Sequence, residues 1–412
     1  MRTNNKFYYF TFIAFVLAIC ICNAQESTKP LVLKNGIFHI GTGEVLKYGT
    51  MIVEKGIIKN IGIGISTPKN AVVVDLKGAH VAPGVVALFN IGRVGVGLGR
   101  GSVKDFLDPF DVKIKQGLAA GITSYAGGSP GRGLTGSNYV LKLTYGDIDS
   151  MFLCENKVIG LSTSELLGRG KNKINKAVSA FLKWRRDYDN FISKKTKKEP
   201  KPPKEAIGLI KAYKREVMLW INSVRSLREI KTALSFINKI NIPAVLNGVV
   251  EGWIIADEIG KTGSMAVVWP RMIIDKNKNL IRESGATIEV PAVLAKAGIR
   301  IACLPAPRGY GAGGLGLGGI LGRDMNTPFI PPAFAVRGGL QEKEAVSTVT
   351  LYPAQMLGLG YRLGSLEKGK DADFIVLTGH PLHYQTLVQK TYINGKCYYD
   401  RTKEPFLRDV PR

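Results

Sequence analysis

Short apolar runs broken by turn residues mark both ends of this chain. Within residues 30–80, runs rich in Val, Ile and Leu stop at turn residues such as Asn35-Gly36 and Gly41-Thr42-Gly43. Runs of this kind predict the strands of a β-meander. The pattern returns in residues 364–377 and 391–396, where an apolar strand again ends in a turn. We therefore expect both chain ends to be rich in β-strands.

The middle of the chain alternates helical and strand patterns instead. Residues 118–125 and 294–302 each pass from helical spacing through a glycine into an apolar run, and residues 232–245 do so through an Asn-Ile-Pro break. Strands that alternate with helices are typical of βαβ units around a parallel sheet. An α/β domain is therefore predicted over residues 82–360.

A basic insertion, residues 169–231, interrupts that domain. It holds 19 Lys or Arg against 6 Asp or Glu, out of a net charge of +25 for the whole chain. Residues 174–191 predict an amphipathic helix, followed by an exposed Lys- and Pro-rich loop over 194–204 and a second helix over 205–227. We expect the stripe of the first helix to pack on the core; its members are Ala177, Phe181, Trp184 and Tyr188.

The positive charge of the insertion bears on its partners. No nucleic-acid-binding motif accompanies the lysines, so nucleic acid is not expected. An anionic cell-envelope lipid or polymer is the better electrostatic partner, and the alternative is that the lysines serve solubility alone.

The first 24 residues predict a secretory signal peptide. A basic start precedes an apolar run over residues 7–22, and small residues follow near Ala24. The run is short for a membrane-spanning helix, which needs about 20 apolar residues. An isoleucine precedes both Cys20 and Cys22, which disfavours a lipoprotein anchor. We expect an exported protein, periplasmic or extracellular.

Several segments resemble the amidohydrolase superfamily. They are Pro83-Gly84 with the strand that follows, GSLEKGKDADFIVL at 364–377, and the TxxPAxxLGL segment at 350–359. GRGLTGSNYVLKL at 131–143 resembles a segment of its exported, imidazolonepropionase-like branch. The family is a group of metal-dependent hydrolases of carbon–nitrogen bonds.

The resemblance implies a fold and its domains. We expect a (β/α)₈ TIM-type barrel over residues 82–360, with the basic insertion inside it. A small β-sandwich is expected from both chain ends, residues 25–81 and 361–412, after a signal peptide over 1–24.

The same resemblance leads us to expect that the family's metal site is lost in this chain. In the family, a His-x-His pair at the end of the first barrel strand holds the metal, and here Phe89 and Ile91 stand at those positions. Asn247 stands where a later histidine ligand is expected, and no histidine occurs over residues 81–379. No Asp or Glu occurs over residues 290–323, where the catalytic aspartate is expected. We expect no cofactor.

Three functions remain open at this point. The first is an exported amidohydrolase-family pseudoenzyme with a degenerate metal site, a binding or partner subunit in a homo-oligomer or beside an intact amidohydrolase. The second is an active hydrolase of cyclic amides that uses non-standard residues, and only this reading requires zinc or another divalent metal. The third is a cell-envelope binder that acts through the basic insertion.

Candidate residues follow from these hypotheses. The pocket candidates are Arg93, Lys142, Asn247, Arg308 and Asp324. Acids proposed for a non-standard hydrolase are Asp105, Asp108, Asp111, Glu251, Asp257 and Asp324. A nucleophilic cysteine such as Cys303 would lack a histidine base within the barrel, so no catalytic residue is assigned. The cysteines after the signal peptide are too few for a disulfide framework and are expected to be free thiols.

Overall fold

The computed structural model describes residues 29–99, 101–168, 170–196, 198–270, 287–304 and 328–404. The predicted signal peptide and two of the pocket candidates, Arg308 and Asp324, lie outside these ranges. No helix of the described ranges is long and apolar enough to cross a membrane.

The described strands follow one another along the chain in this order. They are β1 (Leu31–His39), β2 (Val45–Glu54), β3 (Ile57–Gly62), β4 (Val72–Asp75), β5 (His80–Pro83), β6 (Val85–Leu88), β7 (Ile122–Ser129), β8 (Ser137–Lys142), β9 (Phe152–Glu155), β10 (Val158–Ser162), β11 (Met218–Asn222), β12 (Val245–Asn247), β13 (Met265–Val268), β14 (Ile301–Cys303), β15 (Phe374–Leu377), β16 (Val388–Ile393) and β17 (Lys396–Asp400).

The helices lie mostly between the central strands. They are α1 (Val112–Ala119), α2 (Thr163–Leu167), α3 (Lys171–Ile192), α4 (Ile207–Tyr213), α5 (Leu227–Ile240), α6 (Ala256–Lys261), α7 (Val290–Lys296), α8 (Ile330–Arg337), α9 (Glu342–Ala345) and α10 (Leu351–Met356), with 3₁₀ turns at Val103–Phe106, Lys204–Ala206, Gly252–Ile255 and Val346–Val349.

Both chain ends build one eight-stranded sheet, the terminal sheet. Its order is β17-β16-β15-β5-β1-β2-β3, and β4 also pairs with β1. The turn predicted at Asn35-Gly36 is instead a bend inside β1, where Asn35 has a φ of 58°. The residues before the bend pair with β4 and those after it with β5. The bend therefore lets one strand bind two parallel neighbours.

The central strands form two further sheets. Strands β10 to β14 make a five-stranded parallel sheet, and β6 to β9 make a four-stranded mixed sheet. The α/β class is confirmed. Where a closed (β/α)₈ barrel is predicted, the described strands pair into two open sheets, because the chain after β7 turns back through antiparallel β8 and β9 instead of crossing over through a helix.

One apolar cluster lies between these two sheets. It takes side chains from β6, β7 and β8 on one side and from β10 to β14 on the other, among them Val86, Leu88, Val140, Trp220, Val245 and Val267. We call it the interior cluster. The two open sheets thus enclose a common core, as the two sides of a barrel would.

The basic insertion is helical at its start, as its pattern predicts. Ala177, Phe181 and Trp184 on α3 are buried in the core against α4 and α5, and Tyr188 packs beside them. The prediction of a second helix over residues 205–227 is wrong in its second half. The helix ends at Tyr213, and residues 218–222 form β11. A short apolar run buried on both faces of a parallel sheet cannot be told from a buried helix by periodicity alone.

Candidate functional site

Parallel strands β10, β11 and β12 bring their last residues to one edge. Ser162 pairs with Asn222, and Asn222 pairs with Asn247. The Asn247 amide donates to the Asn222 Oδ1 over 3.1 Å, and the Asn222 amide donates to the Gly131 carbonyl over 3.4 Å. The edge where a hydrolase of this fold would carry metal ligands is therefore lined here by neutral groups that are engaged with one another.

Aromatic side chains fill the space beside this edge. Phe89 follows β6 with a φ of 55°, a conformation that bulky residues rarely adopt. Its backbone N–H donates to the Ala126 carbonyl over 2.9 Å, and its ring meets the ring of Trp220 edge-on at 5.2 Å. Trp220 is 1% exposed and donates to the Met356 carbonyl over 3.1 Å. Phe89 thus closes the interior cluster with apolar surface at a predicted ligand position.

A second aromatic stands at the end of β13. Trp269 lies against Gly248, where an added Cβ would approach the indole ring to 2.4 Å. The guanidinium of Arg225 lies over the same indole, 5.5 Å from the ring centre. Cation–π contacts of this kind stabilise by roughly 0.5–1 kcal/mol at exposed sites. The ends of these strands are therefore covered by packed aromatic rings, and the guanidinium of Arg225 lies over one of them.

Ile91 and Cys303 meet on another side of β6. Ile91 is 1% exposed and packs with Val85, Ala87 and residues of α1. Between Ile91 and Cys303 lies a cavity of only about 20 Å³, room for about one water molecule. Burial raises the pKa of the Cys303 thiol to about 12, so the thiol stays protonated and is a poor nucleophile. The three described cysteines are free, and only Cys303 is fully buried.

A larger cleft opens above the mixed sheet. Its volume is about 580 Å³, within the range of small-molecule sites. Phe89, Arg93, Tyr139 and Glu155 line it together with several glycines. Glu155 accepts from the Ser102 hydroxyl over 2.8 Å and from the Val103 N–H over 2.9 Å, so this acid holds the loop that borders the cleft. Arg93 is exposed and supplies positive charge to it.

Lys142, the remaining described pocket candidate, lies elsewhere. It is 1% exposed, and its ammonium donates to Asp371 over 2.5 Å, to Asp373 over 3.0 Å and to the Asn394 side chain over 2.5 Å. Arg362 binds Asp371 from the other side over 2.7 Å. Burial raises the pKa of Asp373, and the Lys142 charge opposes that effect. Lys142 is therefore an anchor between β8 and the terminal sheet.

The acids considered for a non-standard hydrolase serve local structure where they are described, and Asp324 lies outside the described residues. Asp111 accepts from Lys113 N–H at the start of α1 and from Gly95 N–H, over 3.0 and 2.8 Å. Glu251 accepts from the Leu227 N–H at the start of α5 over 2.6 Å. Asp108 binds a backbone N–H, and Asp105 and Asp257 lie in first helical turns. No group of three or more ligating residues among the described ones could hold a metal ion.

The histidines meet at one place that the sequence pattern did not predict. His39 ends β1, His80 begins β5, and His380 and His383 follow β15. Because β1, β5 and β15 are neighbours in the terminal sheet, these residues come together there, whereas β6 and β12 belong to the other two sheets. The sequence offered one signal for this meeting. Two histidines, His39 and His80, lie in or beside the N-terminal segment of the predicted sandwich, and His380 and His383 lie in its C-terminal segment.

Part of this chain is similar in sequence to known proteins. Residues 315–398 match the family model described as the amidohydrolase family. An imidazolonepropionase from Thermoplasma volcanium is 37% identical over 71 residues, which is 16% of this chain and 18% of that protein. An N-acetylglucosamine-6-phosphate deacetylase from Mus musculus is 48% identical over 61 residues, 15% of this chain and 14% of that protein. The chain thus matches less than a fifth of the length of these curated relatives.

Solved structures share the fold over more of the chain. An amidohydrolase from Thermotoga maritima MSB8 superimposes with a TM-score of 0.65 at 23% identity, over 90% of this chain and 100% of that one. Phenylurea hydrolase B gives a TM-score of 0.53 at 15% identity, over 92% and 98% of the two chains. These matches confirm the predicted resemblance to the amidohydrolase superfamily, in fold over nearly the whole described chain and in sequence over its C-terminal part.

Proposed function

We propose that this chain is an exported protein of amidohydrolase fold that has lost its metal site and binds a ligand or a partner without hydrolysing it. One observation carries the proposal: apolar Phe89, packed on Trp220, stands where the family's histidine pair begins. The neutral amides Asn222 and Asn247 at the neighbouring strand ends support it, since divalent transition metals require imidazole, thiolate or carboxylate donors. The residues present therefore do not fit a catalytic metal.

Metal analysis tests this proposal. Protein purified without added metal should contain far less than one zinc per chain by mass spectrometry, and a chelator should leave its unfolding midpoint unchanged because nothing bound is removed. Hydantoin, lactam and dipeptide substrates should show no turnover. His80→Gln is the control, because zinc that disappears in this variant sits at the terminal sheet and not at the strand ends. Stoichiometric zinc that persists in His80→Gln, together with turnover, would refute the proposal.

The cleft at Arg93 is the binding site we propose. Its volume of about 580 Å³ and its exposed guanidinium suit a small molecule that bears a carboxylate or phosphate. A set of such compounds and their uncharged amides should separate in thermal-shift assays, with stabilisation only by the anions. A ligand at about 100 times its Kd stabilises by roughly 2.7 kcal/mol. Arg93→Gln should abolish the shift, whereas Arg337→Gln, which removes an exposed arginine on α8, should retain it.

A second candidate function rests on a groove formed partly by the basic insertion and partly by the residues that flank it. The groove lies between α3 and α5, has a volume of about 720 Å³, and is lined by Lys171, Arg228, Lys231 and Lys239 with no carboxylate among its lining residues. Leu166, Leu167 and Phe236 form its apolar part. An anionic cell-envelope surface is the partner that this charge favours. Binding to vesicles with anionic lipid should weaken as salt rises, and salt-independent binding would contradict this function.

A catalytically inactive subunit would have one of two partners. The first is a second copy of this chain in a homo-oligomer, and the second is an intact amidohydrolase. Sedimentation of the purified chain alone tests the first. Co-purification with an amidohydrolase encoded by the same organism tests the second.

A further inference from the structure

Three histidine rings from distant parts of the chain cluster at the ends of inner strands of the terminal sheet. The ring centres of His39 and His80 are 5.2 Å apart, those of His39 and His380 are 5.0 Å apart, and those of His80 and His380 are 5.7 Å apart. The exposed fourth ring, His383, lies 5.4 Å from His380. The first three rings join β1, β5 and the segment after β15, so they link the two chain ends directly.

Two polar contacts hold these rings in place. The His39 Nε2 and the His80 Nδ1 share a hydrogen bond of 2.8 Å. This bond needs one nitrogen as donor and the other as acceptor, so it cannot form when both rings are protonated. The His380 Nε2 lies 3.2 Å from the Glu342 Oε1 at the start of α9. This contact connects the segment after β15 to α9.

Few negative charges surround the rings. His39 and His380 line a cavity of about 220 Å³ together with Glu44, Glu342 and Lys343, which gives solvent a path to both imidazoles. Burial, together with smaller effects of the neighbouring His380 and His80, lowers the pKa of His39 to about 3. Burial also lowers the pKa values of His80 and His380, which Glu342 partly offsets for His380 alone. The packed arrangement therefore favours neutral imidazoles.

A metal ion does not explain the cluster. The nitrogens of His39 and His80 face each other at hydrogen-bond distance, whereas the His380 Nε2 faces Glu342, so the three donors do not converge on one point. Tetrahedral zinc sites hold nitrogens at about 2.0–2.1 Å from the metal, which requires such convergence.

We propose that His39, His80 and His380 form a pH-sensitive latch between the terminal sheet and α9, closed near neutral pH and opening in mild acid. Protonation of both rings breaks the His39–His80 hydrogen bond and places like charges about 5 Å apart in a partly buried site. Among the described residues, Glu342 is the carboxylate in contact with a ring of the cluster. The segment that opens is the loop after β15, residues 378–387, together with the end of β1.

The sign of the effect follows from proton binding. The ordinary pKa of histidine is 6.5, and that of His39 in the closed latch is about 3. Between these values the open state binds more protons than the closed state, so the closed latch loses stability as pH falls from about 6.5. Each proton taken up on opening changes the ratio of open to closed latch by about tenfold per pH unit.

Hydrogen–deuterium exchange on the full chain tests the latch. Protection factors, which remove the intrinsic pH dependence of exchange, should fall about tenfold per pH unit in residues 378–387 between pH 6.5 and 5 for one proton bound on opening. Protection in β2 and β3, outside the latch, should stay constant over the same range. His39→Gln should flatten the slope in 378–387, and His383→Gln, which removes the exposed ring, should retain most of it.

The four histidines of the chain give an independent readout in the wild type. Their Cε1–H signals can be followed by NMR from pH 8 to 5, so the test survives if His39→Gln does not fold. His39 should remain neutral in the closed state and gain its proton only together with loss of protection in 378–387. Protonation of His39 near pH 6.5 with full protection retained, or equal slopes in wild type and His39→Gln, would overturn the latch.

Discussion

At the scale of single residues, position in the fold decides what a side chain does. Lys142 has the chemistry of a possible catalytic residue, yet it is a buried ion-pair anchor with Asp371 and Asp373. Phe89 accepts a left-handed backbone so that its ring can close the interior cluster. In both cases the side chain stabilises the fold, Lys142 through its ion pairs and Phe89 through its packing.

Lys142→Met should destabilise the protein strongly. Removing Lys142 leaves the buried Asp373 carboxylate without its cationic partner, while Asp371 keeps Arg362, and breaking a buried ion pair in this way costs about 3–5 kcal/mol. Urea unfolding followed by circular dichroism measures the change. Lys115→Met is the matched control, because the Lys115–Glu404 pair, at 3.3 Å, is part-exposed and should contribute about 0–1 kcal/mol. Equal effects of the two variants would show that the Lys142 cluster is not the anchor described.

At the scale of elements, the strand and helix boundaries show where local pattern succeeds. Residues 227–240 begin with a capping box, in which Ser226 and Glu229 bind each other's backbone, and end at Asn241 in a left-handed conformation. The Asn-Ile-Pro break correctly placed the end of this helix and the strand that follows, whereas the helix begins at Leu227 and not at the predicted Thr232. β11 was predicted as helix, because its burial between β10 and β12 is a property of the sheet and not of its five residues.

Phe181→Ala in α3 should cost about 3–5 kcal/mol, because the ring is 0% exposed and its removal leaves a cavity in the core. Lys183→Ala on the exposed side of the same helix should change stability by no more than about 0.5 kcal/mol. Thermal and urea unfolding compare the two. A small effect of Phe181→Ala would mean that the insertion is not integral to the core.

At the scale of the whole molecule, the excess of basic residues and the histidines lie in different regions. The insertion carries a net charge of +13 (19 − 6) out of +25 for the whole chain, whereas the four histidines lie in strands of the terminal sheet or in the segment after β15. The groove between α3 and α5 is therefore positively charged. The histidine cluster belongs to a different part of the molecule, the terminal sheet.

Lys231→Gln with Lys239→Gln should weaken binding to anionic vesicles by about fivefold per lysine, since each basic residue near an anionic surface contributes about 1 kcal/mol. The matched control is Lys47→Gln with Lys69→Gln, which removes equal charge from exposed positions outside the groove. Vesicle sedimentation at several salt concentrations measures both. Equal losses in the two double variants would assign the effect to net charge and not to the groove.

The local pattern of the chain was sufficient for the α/β class, the strand-rich ends, the aromatic stripe of α3 and the absence of histidine from residues 81–379, because periodicity and inventory need no knowledge of distant contacts. Sheet order decided the rest. Only pairing of β15 with β5 and of β5 with β1 brings His380 to His39 and His80, and only the packing of the terminal sheet on β8 brings Lys142 to Asp371. These partners are separated by up to 341 residues (380 − 39), and no pattern of short range encodes such a meeting.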